Sequence, residues 1–127
     1  MLDINQSQVN IHLGPVYGKI FGFPTFNRIQ SKCYYDVMDS DCNLIVSAPT
    51  GSGKTGILEL AVVKMIKDKA NGSQMAKAVY LAPTKALCTE KSNSFQKKFQ
   101  PLQLKCSELT GDTEEASYNV LNNSDIM

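Results

Sequence analysis

Apolar positions along the chain change period several times, and each change marks an expected element. Between residues 26 and 38, Phe26, Ile29, Cys33 and Val37 recur at helical spacing, with Asn27 placed as an N-cap. Asp39, Ser40 and Asp41 supply a turn, and residues 43–48 (NLIVSA) form an apolar run suited to a buried strand. Residues 55–68 return to helical period, with Ile57, Leu58, Ala61, Val62 and Met65 on one broad stripe and Glu59, Lys64 and Lys67 elsewhere. Asn71 and Gly72 end that helix, and residues 77–82 (KAVYLA) read as a second strand. Pro83 and Thr84 open a second helix that runs to about residue 99, Pro101 breaks it, and residues 104–109 (LKCSEL) read as a third strand. A further helix is expected over residues 113–121. Residues 1–25, punctuated by Gly14, Pro15, Gly18, Gly22 and Pro24, read as an N-terminal arm or loop with few regular elements. Strands alternating with helices of this length imply parallel β-α-β units, hence an α/β layered domain over residues 26–127.

Composition narrows the class. The chain has 127 residues, about one domain, with 43% hydrophobic and 20% charged content, which excludes collagen-like and fully disordered classes. No apolar run approaches the ~18 residues of a membrane span, and the opening MLDINQSQVN lacks the basic start of a secretory leader. Cys33, Cys42, Cys88 and Cys106 show no C-x-x-C spacing and His12 is the lone histidine, so free thiols in a reducing compartment are expected rather than zinc or disulfides. Net charge is +1, unevenly spread. Residues 54–105 hold ten lysines against Glu59, Asp68 and Glu90, while residues 106–127 are acidic. Ordinary solvated helix faces are the favoured account of that asymmetry from charge alone, ahead of a polyanion partner.

The segment Ala48-Pro49-Thr50-Gly51-Ser52-Gly53-Lys54-Thr55 lies between the first expected strand and the first long helix. Glycines at 51 and 53 let the backbone turn successive N–H groups around a phosphate, and the helix adds its positive N-terminal end. Lys54 can reach the β- and γ-phosphates of a nucleotide, and the Thr55 hydroxyl can take a place on Mg²⁺. Ala48 stands where the common phosphate-loop pattern has its first glycine. Chance occurrence of G-x-G-K-[S/T] in a chain of this length is on the order of a few in a thousand. Two later junctions also suit a polyanion: Ala82-Pro83-Thr84-Lys85, and Leu109-Thr110-Gly111-Asp112. In an open parallel sheet such junctions share the carboxyl edge where ligands bind. Each, taken singly, also reads as an ordinary capped turn.

In this order and spacing, FNRIQ, APTGSGKT, APTKALC and ELTGDT resemble the Q-motif region and motifs I, Ia and Ib of superfamily-two DExH-box helicases. Within them the chain resembles the Ski-like group, and FPTFNRIQSK with APTKALC and KCSELTGDT is most similar to its meiotic crossover branch of ATP-dependent DNA helicases. The match covers roughly residues 23–113. The resemblance implies the incomplete first lobe of a RecA-like, three-layer, parallel-sheet phosphate-loop domain using ATP and Mg²⁺. It implies that Gln30 reads the adenine edge and that Thr50, Gly51, Ser52, Gly53, Lys54 and Thr55 hold the phosphates, with Lys54 and Thr55 catalytic and Thr55 also on the metal. It implies that Pro83, Thr84 and Lys85, then Thr110, Gly111 and Asp112, contact single-stranded or branched nucleic acid, DNA by preference, in the nucleus. Gln30 carries a second reading: three residues after Asn27, it can close a capping box.

No D-E-x-H box, S-A-T motif or second RecA-like lobe occurs in the 127 residues, and neither Asp112 nor Asp125 has the sequence context of the missing acid. A fragment or truncated product of a helicase, inactive alone, is therefore expected. A non-catalytic nucleotide- or nucleic-acid-binding fragment, an RNA-directed helicase of the same group, and a small phosphate-loop kinase are the alternatives. The kinase fits worst, because a full element (26–38) precedes the phosphate-loop strand.

Overall fold

Asn27 starts the first long helix for a local reason. Its Oδ1 accepts from the Gln30 backbone N–H at 3.0 Å while Gln30 Oε1 accepts from the Asn27 N–H at 3.0 Å, so two otherwise orphaned donors are met reciprocally. The computed structural model describes residues 8–73, 75–111 and 117–127. They divide into two units, residues 1–72 and residues 73–127.

In the first unit, α1 spans Gln8–Gly18, α2 spans Arg28–Met38 and α3 spans Lys54–Ala70. The presumed irregular arm thus carries helix. Gly14 (φ 81°, ψ 164°) and Pro15 split α1 into two helical pieces, which is why the glycine and proline content pointed to a loop. Leu13, Ile20 and Phe21 are buried, so this segment contributes core. α2 packs on α3, and Phe21, Phe23, Phe26 and Tyr34 form edge-on and tilted ring contacts with centroids 5.5–6.1 Å apart. Lys64 ties α3 to the turn after α2, donating to the Ser40 carbonyl and the Asp41 carboxylate, both at 2.6 Å.

The α3 stripe differs from the expected one. Ile57, Leu60, Val62, Val63 and Met65 are buried together with Glu59, which is 2% exposed, while Leu58 is 40% exposed and Ala61 faces solvent. The helix is apolar over most of its circumference, so periodicity alone leaves its rotation undetermined.

The second unit contains α4 (Lys85–Phe99), a 3₁₀ turn (Gln100–Leu102) and α5 (Ser117–Asn123). Thr84 caps α4, its Oγ1 accepting from the Leu87 N–H at 3.3 Å. Pro101 sits in the 3₁₀ turn, and Gln103 leaves it in the left-handed region at φ 58°. Of the helix expected over 113–121, the part before Ser117 lies outside the described residues.

Among the described residues, the three expected strands do not form as strands. What forms is a pair of parallel bridges, Ala78 to Ile126 and Cys106 to Ile126. Residues 78–80 and 105–107 therefore pair with residues 125–127 between them, an element not anticipated from the short, half-polar SDIM. Ile126 is 2% exposed and lies over a core with Phe95 and Phe99, onto which Tyr80 packs edge-on. The Lys77 ammonium donates to the carbonyls of Leu121, Asn122 and Ser124, the last two at 3.2 and 3.0 Å. Residues 43–48 are the plainest correction. They make no ladder among the described residues, and Ile45 is 95% exposed. An apolar run records what a segment would bury, but a strand exists only where a second backbone meets it.

Candidate functional site

The sharpest geometry is at the start of α3. Gly51 (φ 80°) and Gly53 (φ 89°) occupy the left-handed region, which side chains other than glycine enter at a cost. The Ser52 N–H donates to Pro49 O and the Gly56 N–H to Gly53 O, each at 3.1 Å. Among the described residues, the N–H groups of Gly51, Gly53, Lys54 and Thr55 meet no backbone acceptor, as the first turn of a helix requires. Ser52 Oγ is buried with no hydrogen-bond partner. Lys54 and Thr55 are exposed at the helix start, and the Lys54 ammonium donates to the Ala48 carbonyl at 2.5 Å. Unspent backbone donors, an orphaned hydroxyl and an exposed cation share one turn. That donor set fits a polyphosphate carrying a hard divalent cation.

Two side chains of the α2 cap brace this loop. Asn27 Nδ2 donates to Ser52 O at 2.8 Å, and Gln30 Nε2 donates to Gly53 O at 2.9 Å. Gln30 is 3% exposed. Its capping-box reading is the one the geometry realises, and the adenine reading has to be served by the remaining N–H and lone pair of the same amide. Glycine at 56 was not singled out from the sequence, yet a Cβ there would come within 2.5 Å of Gln30 Nε2 and 3.4 Å of the Phe23 ring. A Cβ on Gly53 would come within 2.6 Å of both Asn27 Nδ2 and Gln30 Nε2. The available signal was the glycine directly after G-K-T, which is costly inside a helix without a packing reason.

Burial shifts ionisation nearby. Tyr34 is pushed up to about 12, chiefly by loss of solvent and then by the Asp39 carboxylate. Burial also raises the Cys33 thiol, with Asp36 adding to it. All four cysteines are free thiols.

The other predicted contacts lie in the second unit. Pro83, Thr84 and Lys85 are exposed at the start of α4, where the Thr84 oxygen is engaged as the cap while its O–H can still donate. Thr110 is half-buried and Gly111 exposed; Asp112 lies outside the described residues. Thr89 Oγ1 donates to Glu108 at 2.9 Å, tying the first half of α4 to the segment that ends at Thr110. Asp125 Oδ2 accepts from the Lys105 N–H at 2.9 Å, a structural task. No helix among the described residues is long and apolar enough to cross a membrane.

The DEAD/DEAH box helicase family model matches residues 27–127, and the chain belongs to that family. Its relatives refine the class. It is 46% identical over 91 residues to the human "Probable ATP-dependent DNA helicase HFM1", covering 72% of this chain and 6% of that protein. It is 34% identical over 122 residues to the rice "ATP-dependent DNA helicase MER3 homolog" (91% and 10%), and 37% over 113 residues to the chicken "Activating signal cointegrator 1 complex subunit 3" (88% and 5%). The expected likeness to Ski-like DExH-box helicases is borne out. The chain spans about a tenth or less of the length of these relatives.

Proposed function

We propose that this chain is the nucleotide-binding front part of the first motor lobe of an ATP-dependent DNA helicase acting in the nucleus, in meiotic crossover formation. The observation that carries the reading is the turn at 50–55, where the N–H groups of Gly51, Gly53, Lys54 and Thr55 and the Ser52 hydroxyl are unspent while Asn27 and Gln30 brace its carbonyls. Relatives named as DNA helicases support the substrate class. The parallel sense of both bridges supports a RecA-like parallel sheet with helices on both faces.

In this reading the backbone N–H groups of Gly51, Gly53, Lys54 and Thr55 hold the phosphates of ATP, Lys54 turns from Ala48 O to the β- and γ-oxygens, and Thr55 ligates Mg²⁺. The metal, when bound, neutralises charge on those oxygens. Gln30 keeps its bond to Gly53 and offers its second N–H and lone pair to the adenine edge. Thr84, Lys85, Thr110 and Gly111, with Pro83 and Asp112, contact the nucleic-acid backbone, which carries little sequence information. Turnover needs an activated water and transition-state cations besides the cradle, and loss of an arginine finger alone costs roughly 10³- to 10⁵-fold. The 127-residue chain is therefore a binder without helicase-like hydrolysis.

Titrating the purified chain with a fluorescent ATP analogue, with and without Mg²⁺, tests this. Saturable Mg²⁺-dependent binding that Lys54→Ala weakens about 10- to 100-fold is expected. Absence of binding by the folded chain, or robust DNA-stimulated hydrolysis, overturns it.

A further inference from the structure

Asn27 has two tasks, and they sit on different atoms of one amide. Its Oδ1 accepts from the Gln30 N–H at 3.0 Å and caps α2, while its Nδ2 donates to the Ser52 carbonyl at 2.8 Å, 25 positions on. Capping uses only the oxygen, which Asp, Ser and Thr supply as well. The nitrogen therefore answers to something other than the helix.

In a trans peptide the C=O and the N–H point to opposite sides of the chain, and no peptide bond among the described residues is cis. Holding the Ser52 carbonyl against the start of α2 thus turns the Gly53 N–H away from α2. Gln30 Nε2 does the same for the following peptide: it holds the Gly53 carbonyl at 2.9 Å and so turns the Lys54 N–H. Gly53 is in the left-handed region and Lys54 begins α3, the backbone sequence that gathers successive N–H groups into an anion-sized concavity. Neither N–H meets a backbone acceptor among the described residues. The approach is close, since a Cβ on Gly53 would come within 2.5 Å of Asn27 Nδ2. Glycine at 53 is thus required by the brace as well as by its φ of 89°.

We propose that Asn27 is a positioning residue for the phosphate chain of the nucleotide: through the Ser52 carbonyl it aims the Gly53 N–H at a phosphate oxygen, without touching the ligand itself. This rests on the nucleotide reading of the turn. A donor fixed in advance loses no freedom when the ligand arrives, which is how the brace adds affinity. The part of the ligand it serves is the polyphosphate and not the base, so its contribution is the same for ATP and for inorganic tripolyphosphate.

Asn27→Ser and Asn27→Asp separate the two tasks. Each keeps an oxygen for the cap of α2, and each lacks the amide donor that reaches Ser52. Serine adds no charge, so a loss common to both variants belongs to the missing donor. Asn27 is exposed, so neither change opens the core. Without ligand, ¹⁵N relaxation of the purified chain is expected to show new motion at the Gly53 amide in both variants, while the amides of α2 keep their exchange protection. With Mg²⁺, affinities for ATP and for tripolyphosphate are expected to fall by the same factor. That factor is about 2- to 12-fold for Asn27→Ser, the worth of one neutral hydrogen bond, and larger for Asn27→Asp, whose carboxylate also repels phosphate. An unchanged Gly53 amide, a loosened one with unaltered tripolyphosphate affinity, or weaker binding of ATP alone would overturn the proposal. So would a loss of α2 protection that accounts for the whole effect, which would make Asn27 a cap and nothing more. An unaltered chain that binds neither ligand brings down the nucleotide reading and this proposal with it. The ligand-free relaxation tells that failure apart, because there the brace still holds Gly53.

Discussion

Gln30 and Gly53 are joined by a 2.9 Å hydrogen bond from a side-chain amide to the carbonyl at the centre of the glycine turn before α3. The same amide closes the cap of α2, so one buried side chain fixes both where a helix starts and how the loop in front of α3 is held.

Gln30→Ala removes both tasks. The expected loss of stability is about 1–3 kcal/mol, the range for a buried hydrogen-bonded group combined with a cap. Amide hydrogen exchange at residues 51–53 is expected to accelerate beyond the global change. Equal acceleration across the whole first unit would show that the bond to Gly53 holds nothing locally.

Gly56→Ala inverts the usual helix rule. Glycine to alanine inside a helix ordinarily gains up to about 1 kcal/mol. Here the new Cβ meets the Gln30 amide at 2.5 Å, and that amide is pinned at both ends. Denaturant unfolding is expected to show a net loss for Gly56→Ala, and a gain for the same change introduced into Gln30→Ala. A two-variant cycle with no coupling would contradict the contact.

Lys54→Ala is expected to leave the melting temperature within a degree or two of the original, because the side chain is exposed and packs against no core. Nucleotide affinity is expected to fall about 10- to 100-fold, as for a lost hydrogen bond to a charged group. Calorimetry and the fluorescent-analogue titration measure the two quantities separately.

Tyr34 predicts an alkaline limit. Its folded value, about 12, lies above the ordinary value of 10.0, so the folded state keeps the phenol proton where the unfolded chain releases it. Its contribution is complete below pH about 10 and is lost as pH climbs towards 12. Phenolate absorbance should show a late-ionising tyrosine whose titration coincides with unfolding, and Tyr34→Phe should remove that late phase and weaken this part of the alkaline loss.

Local chemistry was legible and distant partnership was not. Asn27 and Gln30 announced a capping box by their spacing, and Thr84 announced the start of α4, because caps are settled within four residues. The G-x-G-K-T turn was equally plain. That the Gln30 amide also reaches Gly53, 23 positions on, could not be read, since spacing says nothing about which loop folds against which cap. The apolar runs at 77–82 and 104–109 were seen, but their partner, Ile126, sits in a stretch too short and polar to announce itself. Glu59 stands off the expected apolar stripe of α3, yet it is 2% exposed.

The Lys77 ammonium, shared among the carbonyls of Leu121, Asn122 and Ser124, has a consequence for the order of events during synthesis. Residue 77 leaves the ribosome well before its acceptors exist, and the same delay holds for the edges that await Ile126. The first unit can close its helices while the chain is still growing, whereas the second must wait with its apolar residues uncovered until the stretch around residue 126 emerges. At about 5–20 residues per second, that interval lasts a few seconds.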